Sequence, residues 1–205
     1  MGDLIESEDI TITTGVEVGK MAYGTGDIPF IRTSDLSNWE LKTDPKHGVS
    51  EDLYDAYKEQ FPQKFDVQEG DILLVKDGTY LVGTSAVVSS LDTKILYQSH
   101  LFKIRVNNPD VINPWLLFAG LNSPIVKRQI RAKRFTQDII DTLGDRLSEV
   151  LVPIPRDPET RSRIAKKTAN AVQTRARLRE EARLLAIEIE GETAYGDLSS
   201  LEEAD

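Results

Sequence analysis

Between residues 8 and 14 apolar and polar positions alternate, with Ile10 and Ile12 on one face, which predicts a strand. The same reasoning predicts strands over 28–32, 72–75, 86–88 with Val82 before it, 95–98 and 101–106. Helical spacing replaces alternation at 51–60, where Ser50 is the N-cap and Leu53, Tyr54 and Tyr57 form the apolar side. Asn113 before Pro114, and Ser123 before Pro124, are two further cap-then-proline starts. The second of these helices has Ile125, Val126 and Ile130 as its apolar side. It ends in a polar and aromatic tip, Phe135, Thr136, Gln137 and Asp138. After a short turn, residues 149–154 read as a final strand.

Asp157 and Pro158 then open a helix that runs to about residue 190 with no internal glycine or proline. Ile164, Ala171, Leu178, Ala182, Leu185 and Ile189 lie on a heptad-spaced seam, interrupted at Thr168 and Arg175. Ala165, Ala169, Val172 and Ala176 form a second, alanine-rich seam. A helix this long needs a partner helix, from this chain or from another. The pattern predicts an α+β fold. A mixed or antiparallel sheet with packed helices fills residues 1–155, a long coiled-coil-like spacer helix fills 156–190, and an acidic, disordered tail fills 191–205.

Composition narrows the chemistry. At 205 residues the chain fits one domain plus an appendage. The absence of cysteine excludes disulfides, thiolate metal sites and cysteine nucleophiles, and two histidines exclude a histidine-rich metal centre. The N-terminus lacks the apolar core of a secretory signal and no apolar run is long enough to span a membrane, so a cytoplasmic protein is expected. The net charge of −9 argues against nucleic acid until its distribution is followed. Residues 1–110 carry 19 acidic and 10 basic side chains, whereas 111–183 carry 8 and 15. Residues 184–205 hold seven acids and no base. Between Asp110 and Asp138 there is no acid at all, and Lys127, Arg128, Arg131, Lys133 and Arg134 fall in that window. A basic face on an acidic body fits a phosphate backbone.

No nucleophile elbow, zinc helix or dinucleotide fingerprint is present. The glycine-bracketed loop 15–20 lacks the spacing of a phosphate-binding loop, and Met21 stands where a magnesium-binding hydroxyl belongs. Asn113-Pro114-Trp115 superficially echoes an adenine-methyltransferase site but reads better as a helix cap. Asp66, Glu69, Asp71 and Lys76 could form a nuclease-type cluster, though no Glu-x-Lys pair completes it. Four polar segments make more sense as readers of DNA: Arg32-Thr33-Ser34-Asp35, Lys76-Asp77-Gly78-Thr79-Tyr80, Gln98-Ser99-His100 and the tip at 135–138. They supply donors and acceptors used on base edges and phosphates.

Six blocks in order carry a family resemblance. They are the glycine loop, Gly26-Asp27-Ile28-Pro29-Phe30-Ile31-Arg32-Thr33-Ser34-Asp35, Gly70-Asp71-Ile72-Leu73-Leu74-Val75-Lys76-Asp77-Gly78-Thr79, Phe102-Lys103-Ile104-Arg105, the Asn122-Ser123-Pro124 helix start, and Ile154-Pro155 before the long helix. Over residues 8–190 the chain resembles a target recognition domain of the type I restriction–modification specificity subunit. It is also similar to the recognition domains of N6-adenine DNA methyltransferases. The resemblance implies a non-catalytic module that docks on double-stranded DNA and directs a methyltransferase subunit, with no cofactor of its own. It implies reader loops at Arg32–Asp35, Lys76–Tyr80 and Arg131–Asp138. The expected DNA contacts are therefore Lys20, Arg32, Thr33, Ser34, Lys76, Asp77, Thr79, Tyr80, Gln98, Lys127, Arg128, Arg131, Lys133, Arg134, Thr136 and Gln137. The family carries two recognition domains and two spacer helices, whereas this chain has one of each. The seam at Ile164–Ile189 thus suggests a homodimer or a piece of a larger protein. Two rival readings are an acidic DNA-mimic inhibitor, motivated by residues 1–110, and a small nuclease centred on Asp71.

Overall fold

The computed structural model describes residues 1–196 except Asn38, Asp44, Thr79, Asp138 and Ile139; for Thr136, Gln137, Ile140 and residues 192–196 it describes the backbone alone. The strands are β1 (Ile10–Thr14), β2 (Phe30–Ile31), β3 (Leu36–Ser37), β4 (Glu40–Leu41), β5 (Ile72–Val75), β6 (Asp77–Gly78), β7 (Ser85–Val87), β8 (Leu96–Tyr97), β9 (Leu101–Val106), β10 (Phe135–Gln137) and β11 (Ile140–Thr142). The α-helices are α1 (Gly2–Glu6), α2 (Glu51–Gln60), α3 (Pro62–Phe65), α4 (Pro114–Leu121), α5 (Pro124–Lys133) and α6 (Pro158–Gly196).

The caps act as their sequence predicts. Asn113 Oδ1 accepts from the backbone N–H groups of Trp115 (3.0 Å) and Leu116 (3.3 Å). Ser50 and Ser123 accept from the third residue beyond. The central sheet is antiparallel in the order β1-β9-β5-β7, with Ile12 and Ile72 both opposite Ile104. β2 runs parallel to β8, so the fold is mixed. Along β5, Ile72 and Leu74 enter one apolar cluster with Ile104, Leu117, Phe118, Val126 and Ile130. Leu73 and Val75 enter the other, with Phe30, Phe65, Tyr97 and Leu101. The unbroken apolar run at 72–75 is explained by this arrangement, since the strand is covered on both faces.

Two local expectations are corrected. Residues 149–154 do not form a strand: a 3-10 turn covers Gly144–Glu149 and the chain then runs irregularly to Pro158. Gln129 takes the place of a neighbouring strand, its amide donating to Leu151 O (2.7 Å) and accepting from Leu151 N–H (2.9 Å). Pro153 and Pro155 have no N–H to offer a ladder. The tip after α5 is not helical either. Arg134 closes the helix in an extended conformation, and Phe135–Gln137 pairs as β10 with β11.

The helix α6 divides into two halves. In the first, Ala165, Thr168, Val172 and Ala176 are buried, so the alanine-rich seam packs on the domain, chiefly against α4. Small side chains allow that close approach. Arg179 is the last tether, donating to Leu41 O (2.6 Å) and to Asp92 Oδ1 (2.6 Å), a buried carboxylate that also accepts from Ser89 Oγ. From residue 181 to 191 every position is exposed, including Leu184, Leu185, Ile187 and Ile189. The helical assignment continues to Gly196, past the expected end at about residue 190, and residues 197–205 of the expected tail lie outside the described residues. Among the described residues no helix is long and apolar enough to cross a membrane.

Candidate nucleic-acid interface

Four polar segments meet at the end of the central sheet where β1 and β5 finish and β9 begins. Three backbone hydrogen bonds of 2.9 Å join them in series: Gln98 N–H to Ile31 O, Lys76 N–H to His100 O, and Leu143 N–H to Lys76 O. Residues 67, 24 and 67 positions apart in sequence therefore lie side by side in one ridge. β6 extends it by pairing with β11, Asp141 opposite Gly78 and Thr142 opposite Asp77, and β11 pairs in turn with β10. The loop before Lys20 flanks the other end. Ser99 N–H donates to Val16 O (3.1 Å), and Gly15 lies so close to the Tyr97 and Gln98 carbonyls that a Cβ would collide with both.

Asp77 ties the ridge together from within. It is 9% exposed and accepts from the Thr142 hydroxyl, while Lys76 Nζ lies 3.1 Å and His100 Nδ1 3.2 Å from its Oδ2. Burial works to raise the Asp77 carboxyl, but the hydrogen bonds from Thr142, His100 and Lys76 outweigh it and hold the group below its usual value. Asp77 is thus an internal brace, with its carboxylate engaged inside the ridge.

The other predicted contacts separate into three groups. Arg128 and Arg131 are exposed on α5 and, among the described residues, carry no ion-pair partner. Lys20 and Tyr80 are exposed, Tyr80 to 82%, and Gln98 is half-buried. In the second group the charge is already engaged. Arg32 bonds Asp35 through its backbone N–H (2.8 Å) and its guanidinium, Ser34 donates to the same carboxylate (3.0 Å), and Thr33 is half-buried beside them. Lys133 pairs with Glu149 (2.7 Å) and Arg134 with Asp141 (3.7 Å). Lys127 is the clearest case. Its ammonium is turned inward to donate to Gly83 O (2.6 Å), and burial pushes its pKa down to about 8. A third group is only partly described: Thr79 and Asp138 lie outside the described residues, and Thr136 and Gln137 are placed by backbone in β10 without their side chains.

Thr142 and Arg146 belong to the ridge although the sequence did not single them out, and His100, named within the 98–100 segment, was not among the expected contacts. The Arg146 guanidinium sits 4.5 Å from the Phe135 ring centroid and donates to Lys133 O. No spacing rule joins residue 77 to residue 142, so only His100, beside Gln98, carried a local signal. The nuclease reading loses its cluster: Asp71 is 3% exposed and holds Arg105, Asp66 holds the same arginine, and Lys76 lies at the opposite end of β5. Asp35, Asp66, Asp71, Asp77 and Asp92 all serve internal partners, which removes them from the charge a DNA mimic would display.

No family model matches the sequence, and no curated protein matches it. Solved structures do. The S subunit of the type I restriction–modification system from M. genitalium superposes with a TM-score of 0.57 at 14% identity, over 88% of this chain and 40% of that one. A structure of an assembled type I R-M system gives 0.49 at 17% identity, over 94% and 45%. The HsdS subunit from Thermoanaerobacter tengcongensis gives 0.46 at 15% identity, over 85% and 37%. The chain spans about two-fifths of the length of the proteins it matches. With its antiparallel sheet, its ridge of loops and its long C-terminal helix, the chain has the fold of a type I restriction–modification S subunit, over the part of that protein that it covers.

Proposed function

We propose that this chain is a non-catalytic DNA target-recognition module, which reads a short duplex sequence and presents it to an N6-adenine DNA methyltransferase subunit. The observation that carries the reading is the hydrogen-bonded ridge, where four segments from distant parts of the chain are joined, with Arg128 and Arg131 exposed on the helix that leads into β10. In this reading the exposed arginines position the phosphate backbone, while Gln98, Thr79, Tyr80 and Gln137 are the candidates for base readout. The likeness to S subunits supports it at the level of fold. Residues 1–155 act as the reading domain and α6 as the spacer. The exposed apolar positions of its outer half, Leu184, Leu185, Ile187 and Ile189, are the surface through which a second copy would join.

The test is fluorescence anisotropy on a randomised duplex library, with and without the cognate methyltransferase, across a salt series. Binding that falls steeply with salt is expected. Arg128→Ala and Arg131→Ala should each reduce the salt slope by about one, whereas Lys127→Met should leave it unchanged. Absent or salt-insensitive binding in both settings would sink the proposal. Sedimentation in the same buffer should give the mass of a dimer, and that of a monomer for a variant with Leu184, Leu185, Ile187 and Ile189 changed to Ser. A wild-type monomer at concentrations well above those used for binding would refute the second-copy surface alone.

A further inference from the structure

Tyr80 is held out into water by a loop that is otherwise tightly braced. Val75 and the turn at 81–84 close the loop with three backbone hydrogen bonds: Val75 N–H to Thr84 O (2.8 Å), Gly83 N–H to Val75 O (2.9 Å) and Thr84 N–H to Leu81 O (2.7 Å). Lys127 holds Gly83 O from below, and Gly83 itself has a φ of +86° with Ile130 packed where a Cβ would sit. On the incoming side β6 is stitched to β11, and Asp77 is locked by Thr142. Both ends of the loop are therefore fixed, yet Tyr80 is 82% exposed and has no hydrogen-bond or ring partner among the described residues.

An aromatic on a slack turn folds back onto the nearest apolar surface. Here the segment that carries Tyr80 lies between the β6–β11 pairing and the braced turn at 81–84, and the ring stays in water. A phosphate can engage only the Tyr80 hydroxyl, whereas every base offers the ring a π-face. We infer that Tyr80 enters the base stack of the bound duplex, wedging its ring against an unstacked base step. This rests on the DNA-recognition reading and adds a mode of engagement to it. Side chains that insert between base steps lose unstacking energy and gain stacking and a distorted duplex. Such a distortion beside the site suits a partner enzyme that must take its target base out of the stack.

The experiment uses the full chain and the duplex selected by wild type, with 2-aminopurine placed at each position in turn. Wild type and Tyr80→Phe should raise the fluorescence at one step. Tyr80→Ala should abolish that rise and weaken binding roughly 10- to 100-fold, as loss of one base stack does, with an unchanged salt slope. That last readout separates a ring contact from a cation contact, because Arg131→Ala should lower the slope. Tyr80→Ala binding within twofold of wild type would overturn the inference and leave the recognition reading intact. Weaker binding with no fluorescence change at any position in wild type would also overturn it, in favour of a contact to the groove wall. If wild type binds no duplex, both fall together.

Discussion

Asp71→Ala is expected to destabilise the fold by about 3–5 kcal/mol, the range seen when one member of a buried ion network is removed and its partners stay charged. Asp71 is 3% exposed and accepts from Arg105 Nε (2.8 Å), Arg105 Nη2 (2.6 Å) and the backbone N–H of Gln68 (2.9 Å). Lys103, itself 1% exposed, lies 3.9 Å away and donates to Gln63 O and Asp66 O, joining α3 to the sheet. Burial holds the Lys103 ammonium down at about 8, partly offset by Asp71, while hydrogen bonds to Asp71 and then Asp66 hold the Arg105 guanidinium well above its usual value. Deleting Asp71 leaves one arginine with only an exposed partner and one buried lysine with only carbonyls. Urea unfolding of wild type, Asp71→Asn and Asp71→Ala measures the cost. Asparagine should fall between the other two, since it keeps the shape and one acceptor. A loss under about 1 kcal/mol for alanine would mean that water replaces the carboxylate and that the network is not buried in solution.

Lys127→Met should change how stability responds to pH. The folded-state pKa of Lys127 is about 8, against about 10.4 for an ordinary lysine. Between those values the unfolded chain holds the proton and the folded chain does not. Stability from this group is therefore complete above the unfolded value and is lost as pH falls through 8. Wild type should gain about 2–3 kcal/mol relative to Lys127→Met between pH 7 and pH 10, as each pKa unit is worth about 1.4 kcal/mol. Differencing against the variant cancels the other groups, Lys103 included. Paired urea titrations at the two pH values provide the check, and a difference that stays flat with pH would place Lys127 in water. That result would also restore it as a candidate phosphate contact.

Much of the framework was legible from residue order. The helix starts at Ser50, Asn113, Ser123 and Pro158 follow from caps and prolines, whose hydrogen bonds reach only three residues along the chain. The two-sided burial of β5 follows from four consecutive apolar residues. At the ridge, legibility was partial. The loops at 32–35, 76–80 and 98–100 were recognisable as polar punctuation between strands, but their side chains could not be sorted. Arg32 and Arg131 look alike in sequence, yet one caps its own turn and the other faces solvent. The same holds along α6, where two apolar seams compete. The alanine seam wins the docked half because small side chains let α4 approach closely, and the leucine and isoleucine positions are left on the exposed half.

The sequence by itself determined the α+β character, most helix boundaries, the long C-terminal helix and the absence of any recognisable catalytic motif, because caps and periodicity are short-range and each is complete within a turn or two. Only the tertiary structure decided that residues 135–137 form a strand, that the Lys127 ammonium turns in to Gly83 O, and that Asp77 and Thr142 close one ridge. The last two depend on contacts across 44 and 65 residues of chain, and the strand at 135–137 belongs to a sheet completed by β6; the neighbour that takes up a charge or completes a ladder is chosen by folding and leaves no mark on local spacing.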